Sequence, residues 1–217
     1  MKLAKSSIAI LFSYLVIFLL PSILNSMFNL KSVIISVQTW DYVIGAILLA
    51  TLLYFTKDKN SIDSTNSDLS KTVAWCGIGF GLALLIQWII SFVLILAKQN
   101  PASQNTEQLL TLTKMSPIFL LAITIGAPIM EEIVFRKVLF GNLNKMLGWD
   151  KSSLGITISA IISSLAFALM HQDGHIFMYA TLGLLFCWIY RKTGRIQTSM
   201  ISHILMNTFV ALPILFK

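Results

Sequence analysis

Six polar side chains stand where an apolar chain has least use for them. Glu131 and Glu132 are adjacent inside the run SPIFLLAITIGAPIMEEIVFRKVLFGNL, and Arg136 follows one turn later. His171 closes the run SSLAFALMHQ, while His203 and Asn207 sit within IQTSMISHILMNTFV. A carboxylate near a water molecule suits general-base chemistry. A His/Asn pair one helical turn apart presents two donors that a developing oxyanion could use. No Ser, Cys or Asp grouping competes for the role of nucleophile.

Spacing refines this. On a helix Glu132 and Arg136 share a face at i,i+4, the arrangement of a buried ion pair. Glu131 is turned from Glu132 by about 100°, so the same arginine serves it less well and it faces a different environment. Pro128 removes a backbone hydrogen bond just before the two glutamates, and Gly126 adds to the loosening expected there. Each feature also has a plainer meaning. The Glu/Arg cluster could simply hold helices together, and His203 with Asn207 could be interhelical glue. His171, one turn after Phe167, could be interfacial, and His175, after Asp173-Gly174, reads as a loop residue.

The elements that must carry these groups are membrane helices. Of the 217 residues, 56% are hydrophobic and 12% charged, with mean hydropathy +0.80. A soluble domain carries roughly 25% charged residues, so lipid must be the solvent for most of this surface. Seven apolar stretches approach the ~20 residues of a span: 7–28, 36–56, 72–97, 117–141, 153–171, 175–190 and 197–215. The fold expected is an all-α polytopic transmembrane bundle of about seven helices, a single membrane domain over 1–217. The first apolar stretch is too long for a cleaved signal segment and reads as a retained helix. Residues 57–71 and 98–115 are the longest loops.

The net charge of +7 is not a nucleic-acid signature here, because the basic residues cluster in alternate loops. With the N-terminus in the cytoplasm, 12 Lys and Arg fall on that side and 4 on the other, the positive-inside pattern. Cys76 and Cys187 lie within apolar segments and read as small core residues. The preference for Lys over Arg, 13 to 3, suits an AT-rich bacterial gene, and a bacterial plasma membrane is the expected location. One conflict stands in this layout. A fifth helix starting at 153 carries His171 nearly a full membrane thickness away, whereas Glu131 and His203 count nearer the cytoplasmic half. If the three meet, the helix must start earlier, tilt or break around 142–160; otherwise His171 lies on an outer rim. The same depths suggest a cavity facing the cytoplasm.

Taken in order, Glu131-Glu132-Ile-Val-Phe-Arg136, Phe167-Ala-Leu-Met-His171 and His203-Ile-Leu-Met-Asn207 match EExxxR, FxxxH and HxxxN. In order and spacing they resemble the CAAX-protease and bacteriocin-processing (Abi) family of intramembrane peptidases, to which type II CAAX prenyl endopeptidases belong. The resemblance covers 115–210; residues 1–100 carry none of its motifs. It implies that Glu131 activates water with help from His171, and that His203 and Asn207 stabilise the oxyanion. Glu132 and Arg136, with Phe167, would support the first glutamate's helix. It further implies an endopeptidase acting on a short or membrane-proximal peptide: a leader, pheromone, bacteriocin or prenylated segment. No metal cofactor is expected, with zinc held by Glu131, His171 and His203 as the alternative. The competing function is a non-catalytic membrane binding or immunity protein on the same scaffold. The expected partners are a peptide or membrane-anchored protein substrate and the lipid bilayer.

Overall fold

The computed structural model describes residues 3–30, 33–56, 59–65 and 67–215. Among them the chain forms eight helices and no strands. Helices α1 (Lys5–Phe28), α2 (Ile34–Thr56) and α3 (Leu69–Leu96) come first, followed by the short α4 (Gln104–Met115). A long helical run, α5, covers 119–146. The last three are α6 (Ser153–Met170), α7 (Ile176–Thr193) and α8 (Ile196–Leu215). Each of the seven apolar stretches is a helix, so the all-α membrane bundle expected from composition is what forms. Four helices, α1, α2, α3 and α6, are long and apolar enough to cross a bilayer.

The four outer helices and the inner ones divide the surface between them. Phe12, Ile44, Trp88 and Leu154 point outward from α1, α2, α3 and α6, where lipid is the natural neighbour. By contrast nearly every side chain of α5 from Glu132 to Asn142 is buried, as are Leu182, Phe186, Ile189 and Tyr190 of α7. Lipid gives little hydrophobic push between helices, so close packing of small residues matters more. Gly183 of α7 is one such contact: a Cβ there would lie 2.8 Å from the Ser164 side chain of α6.

Two elements differ from the sequence-based layout. Residues 98–115 were expected to be loop, yet α4 forms there. Ser103 caps it, its hydroxyl accepting from the Thr106 N–H, and Glu107 and Lys114 sit at the ends that favour their charges. The other difference is in α5, which winds as a π-helix over Ala122–Gly126 and again over Glu132–Asn142. The first stretch has a visible cause. Pro128 has no N–H to give, and the wider winding redistributes the carbonyls before it.

The end of the bundle bearing the N-terminus is closed by polar side chains. Asn60 Nδ2 donates to Asn142 Oδ1 at 2.9 Å and to the Tyr190 hydroxyl at 3.0 Å. Tyr190 in turn donates to Asp63 Oδ1 at 2.6 Å, and Asp63 pairs with Lys137. Asn142 reaches Ser7 of α1 at 2.9 Å. Gly141 permits this approach, since a Cβ there would lie 2.2 Å from Asn60 Nδ2. Lys5, Lys59, Lys71, Lys145, Lys151, Arg191, Lys192 and Arg195 all belong to this end.

Candidate active site

The connection between α5 and α6 resolves the depth conflict. The fourth apolar stretch was read as ending at 141, but its helix continues to Met146, while α6 starts at Ser153 as expected. Measured from the 147–152 connection, Glu131 and His171 therefore stand at similar distances along two antiparallel helices. Phe135 fixes the register: its carbonyl accepts from Ser163, and its ring meets Phe167 at 5.4 Å. His171 belongs to the cavity, not to an outer rim.

Glu132 and Arg136 form the pair expected, with Arg136 Nε 3.4 Å from Glu132 Oε1 and both side chains 0% exposed. The guanidinium lies over the Phe167 ring at 4.2 Å and near Phe186 at 5.4 Å, so its charge is met by aromatic faces as well as a carboxylate. Glu132 Oε1 also accepts from His203 Nδ1 at 3.1 Å. That contact fixes the imidazole with Nε2 turned the other way, where Glu131 Oε2 lies 3.7 Å off. Phe186 stacks on the His203 ring at 4.7 Å. Glu131, unlike its neighbour, is partly open, its side chain 17% exposed.

His171 is held by two contacts. Its Nδ1–H donates to the Phe167 carbonyl at 2.9 Å, which leaves the Nε2 lone pair free for a proton or a water. Its ring lies against Tyr179 with centroids 3.7 Å apart. Tyr179 is anchored in turn by Ser103, its hydroxyl 2.7 Å from Ser103 Oγ, and Ser103 donates to Asp173 at 2.5 Å. Tyr179 was not singled out from the sequence, where an aromatic residue in an apolar helix carries no signal of its own. His175 is a loop residue as read, its Nε2 contacting the Ala102 carbonyl at 3.1 Å.

Asn207 completes the set through the π-helical turn. The Ala127 N–H bonds to the Ala122 carbonyl, five residues back. With the same spacing Pro128 would serve Ile123, but it has no hydrogen to donate. Asn207 Nδ2 fills the position, donating to the Ile123 carbonyl at 3.1 Å. One amide hydrogen is thereby committed, and the second remains for a ligand.

Glu131, Phe167, His171, His203 and Asn207 all line one cavity of about 730 Å³. Its walls come from Tyr14 to Asn25 of α1, Ile34 to Tyr42 of α2, α4, and the α6–α7 turn. These are the helix halves remote from the basic end. The lining of the cavity thus lies toward α4 and away from the basic loops, toward which an opening was expected. Outside the membrane-spanning segments, Asp173 shapes its rim. Burial pushes this carboxyl up, but hydrogen bonds from Ser103 and from the backbone N–H groups of His175 and Asn105 outweigh it and hold the group below the usual carboxylate range.

The chain is similar in sequence to known proteins. The family model described as Type II CAAX prenyl endopeptidase Rce1-like matches residues 113–209, which contain all seven motif residues. The membrane-embedded CAAX protease MroQ of Staphylococcus aureus (strain USA300) is 31% identical over 196 residues, covering 89% of this chain and 79% of that protein. This chain belongs to the CAAX-type intramembrane proteases. The putative membrane peptidase YdiL of Bacillus subtilis (strain 168) is 29% identical over 175 residues, covering 78% of this chain and 68% of that protein. The UPF0177 protein YvdC of Lactococcus lactis subsp. lactis (strain IL1403) is 23% identical over 219 residues, 95% and 81% of the two chains. No solved structure matches this chain.

Members of a protease family with clustered histidines and glutamates raise the question of zinc. Among the described residues no group of three His, Cys, Asp or Glu side chains is gathered closely enough to hold a metal ion as they stand. His203 and His171 each have Nδ1 engaged elsewhere, so a common ligand would have to draw on their Nε2 atoms from two different helices.

Proposed function

We propose that this CAAX-type intramembrane protease is an endopeptidase in which Glu131 activates water against a peptide bond of a short or membrane-proximal substrate. The observation that carries the reading is the division of labour between adjacent glutamates. Glu132 is sealed against Arg136 and His203, while Glu131 faces the cavity beside His203 Nε2. Of the two glutamates, Glu131 is the one beside the cavity, and this supports its role as the base.

The steps then follow. Water lies between the Glu131 carboxylate and the free Nε2 of His171. Glu131 removes one proton as the water oxygen attacks the carbonyl carbon, and His171 accepts the second hydrogen bond and so aims the lone pair. Negative charge moves to the former carbonyl oxygen. It is received by the uncommitted Nδ2–H of Asn207 and by Nε2–H of His203, a role requiring hydrogen on both ring nitrogens. Collapse returns the proton from Glu131 to the leaving amine. Donors fixed in advance are worth most in a site shielded from bulk water. The leader, pheromone, bacteriocin or prenylated nature of the substrate is set by sequences the walls admit. We place the enzyme in a bacterial plasma membrane with its N-terminus in the cytoplasm, a reading supported by the positive-inside pattern of its basic loops.

The test compares the purified parent with Glu131→Gln and Glu132→Gln on candidate peptides, with cleavage read by mass spectrometry. General-base loss is expected to cost Glu131→Gln about 10²–10⁴-fold in kcat at unchanged melting temperature. Equal cleavage by parent and Glu131→Gln would remove Glu131 from the mechanism.

A further inference from the structure

Two observations about the cavity point past the hydrolytic step. The first is its closure on one side. The Asn60–Asn142–Tyr190–Asp63 network occupies the basic end, and the cavity walls stop short of it, opening instead where Gln104 and Gln108 of α4 reach the surface. The second is the polar chemistry of those walls. Asn25, Gln38, Gln87, Asn105 and Gln108 come from four different helices and contribute carboxamides to the lining, with Gln87 giving one amide hydrogen to the Ala83 carbonyl, Gln38 bonded to Tyr42 and Asn105 to Tyr179. Each carboxamide presents a donor and an acceptor without charge, the complement of the N–H and C=O that every peptide unit must satisfy once it leaves water. Ile17, Phe18, Ile123 and Met206 lie among them and give side-chain contacts of ordinary apolar kind.

We infer that the cavity admits an uncharged, extended stretch of peptide from the extracytoplasmic face of the membrane, laid along the carboxamides beneath α4. The side follows from the basic residues gathered at the sealed end, which the positive-inside tendency assigns to the cytoplasm. The occupant's identity rests on the peptidase reading above; the side of access does not.

The experiment uses cysteine labelling of the full chain, which needs no activity. Cys76 and Cys187, both buried, are replaced by alanine, and single cysteines are placed at Gln108 and Val210 in the cavity wall. Gln99→Cys marks the open end and Lys151→Cys the sealed end. In intact cells a membrane-impermeant maleimide is expected to label positions 99, 108 and 210, and to reach 151 only after permeabilisation. Labelling of 108 and 210 together with 151 would overturn the side of access, and labelling of 151 in intact cells would overturn the membrane side. A capped octapeptide of Ala, Ser and Leu is then added in excess. It is expected to slow labelling at 108 severalfold while leaving 99 unchanged, and the same peptide with two Glu residues is expected to protect far less. Equal protection by the two peptides, or none by either, overturns the uncharged-peptide assignment. Correct labelling and protection without cleavage of any peptide would leave the access route standing and remove the peptidase reading.

Discussion

The His171 imidazole lies nearly parallel to the Tyr179 ring, 24° from coplanar with centroids 3.7 Å apart. Tyr179 thus sets the tilt of the histidine from one side while the Phe167 carbonyl holds Nδ1 from the other. Removing the ring should cost activity; removing only the hydroxyl should not. An aromatic pair of this kind is worth about 0.5–1.5 kcal/mol. Tyr179→Leu is therefore expected to lower kcat roughly three- to tenfold, with KM little changed, and Tyr179→Phe to stay close to the parent. Steady-state kinetics on any cleaved peptide decides it, and an equal loss in both variants would assign the effect to the hydroxyl's bond with Ser103.

Glu132 and Arg136 are both wholly buried, and breaking such a pair strands a charge. Arg136→Met leaves Glu132 with His203 and Ser199 but no guanidinium, and is expected to destabilise the protein by about 3–5 kcal/mol. The double variant Glu132→Gln/Arg136→Met should recover much of that loss, because neither charge remains. Thermal melting in detergent measures both. A double variant no more stable than Arg136→Met would mean that stacking of the guanidinium on Phe167, and not charge pairing, dominates.

Acid should release α4. Asp173 is more acidic in the folded protein than in an unfolded chain, because the bonds from Ser103, His175 and Asn105 outweigh its burial. Its ionised form therefore contributes stability that is complete above the ordinary carboxyl range, near pH 3.9, and is lost as the pH falls through the lower folded value. Hydrogen exchange over 104–115, corrected for intrinsic rates, should show protection falling below about pH 4 in the parent. In Asp173→Asn the protection should be lower at pH 6 and show no such step.

At the sealed end, Gly141→Ala places a methyl 2.2 Å from Asn60 Nδ2. Overpacking of this kind costs typically about 1–3 kcal/mol, so the melting temperature should drop. In an Asn60→Ala background the same substitution should cost less, since the group it meets is gone. Additive losses would show that the methyl acts elsewhere.

Sequence alone located the helices because lipid imposes a long apolar run on each one, and that signal survives without neighbours. The Glu132–Arg136 pair was legible for a related reason: i,i+4 geometry is local. What escaped was tertiary or locally irregular. The π-helical turn at Ala122–Gly126 leaves no periodicity to read, although Pro128 marked the place where winding would change. Helix α4 went unseen because it is polar and short, even with Ser103 at its start and Lys114 at its end. The apparent separation of His171 from Glu131 came from stopping the fourth stretch at 141, when burial of Asn142 and Asn144 lets the helix run on through polar residues. Asn60 and Asp63 were legible only as part of the 57–71 loop until their partners on α5 and α7 came into view.

The polar closure around Asn60 has a consequence for the cell as well as for the fold. Hydrolysis inside a membrane needs water at mid-depth, and a water-filled passage open at both ends would let protons run down the electrochemical gradient. The hydrogen bonds joining Asn60, Asn142 and Tyr190 stand at one end, and the lining of the cavity stops short of them. On the proposed mechanism, water would then reach Glu131 from the α4 side without crossing the basic end.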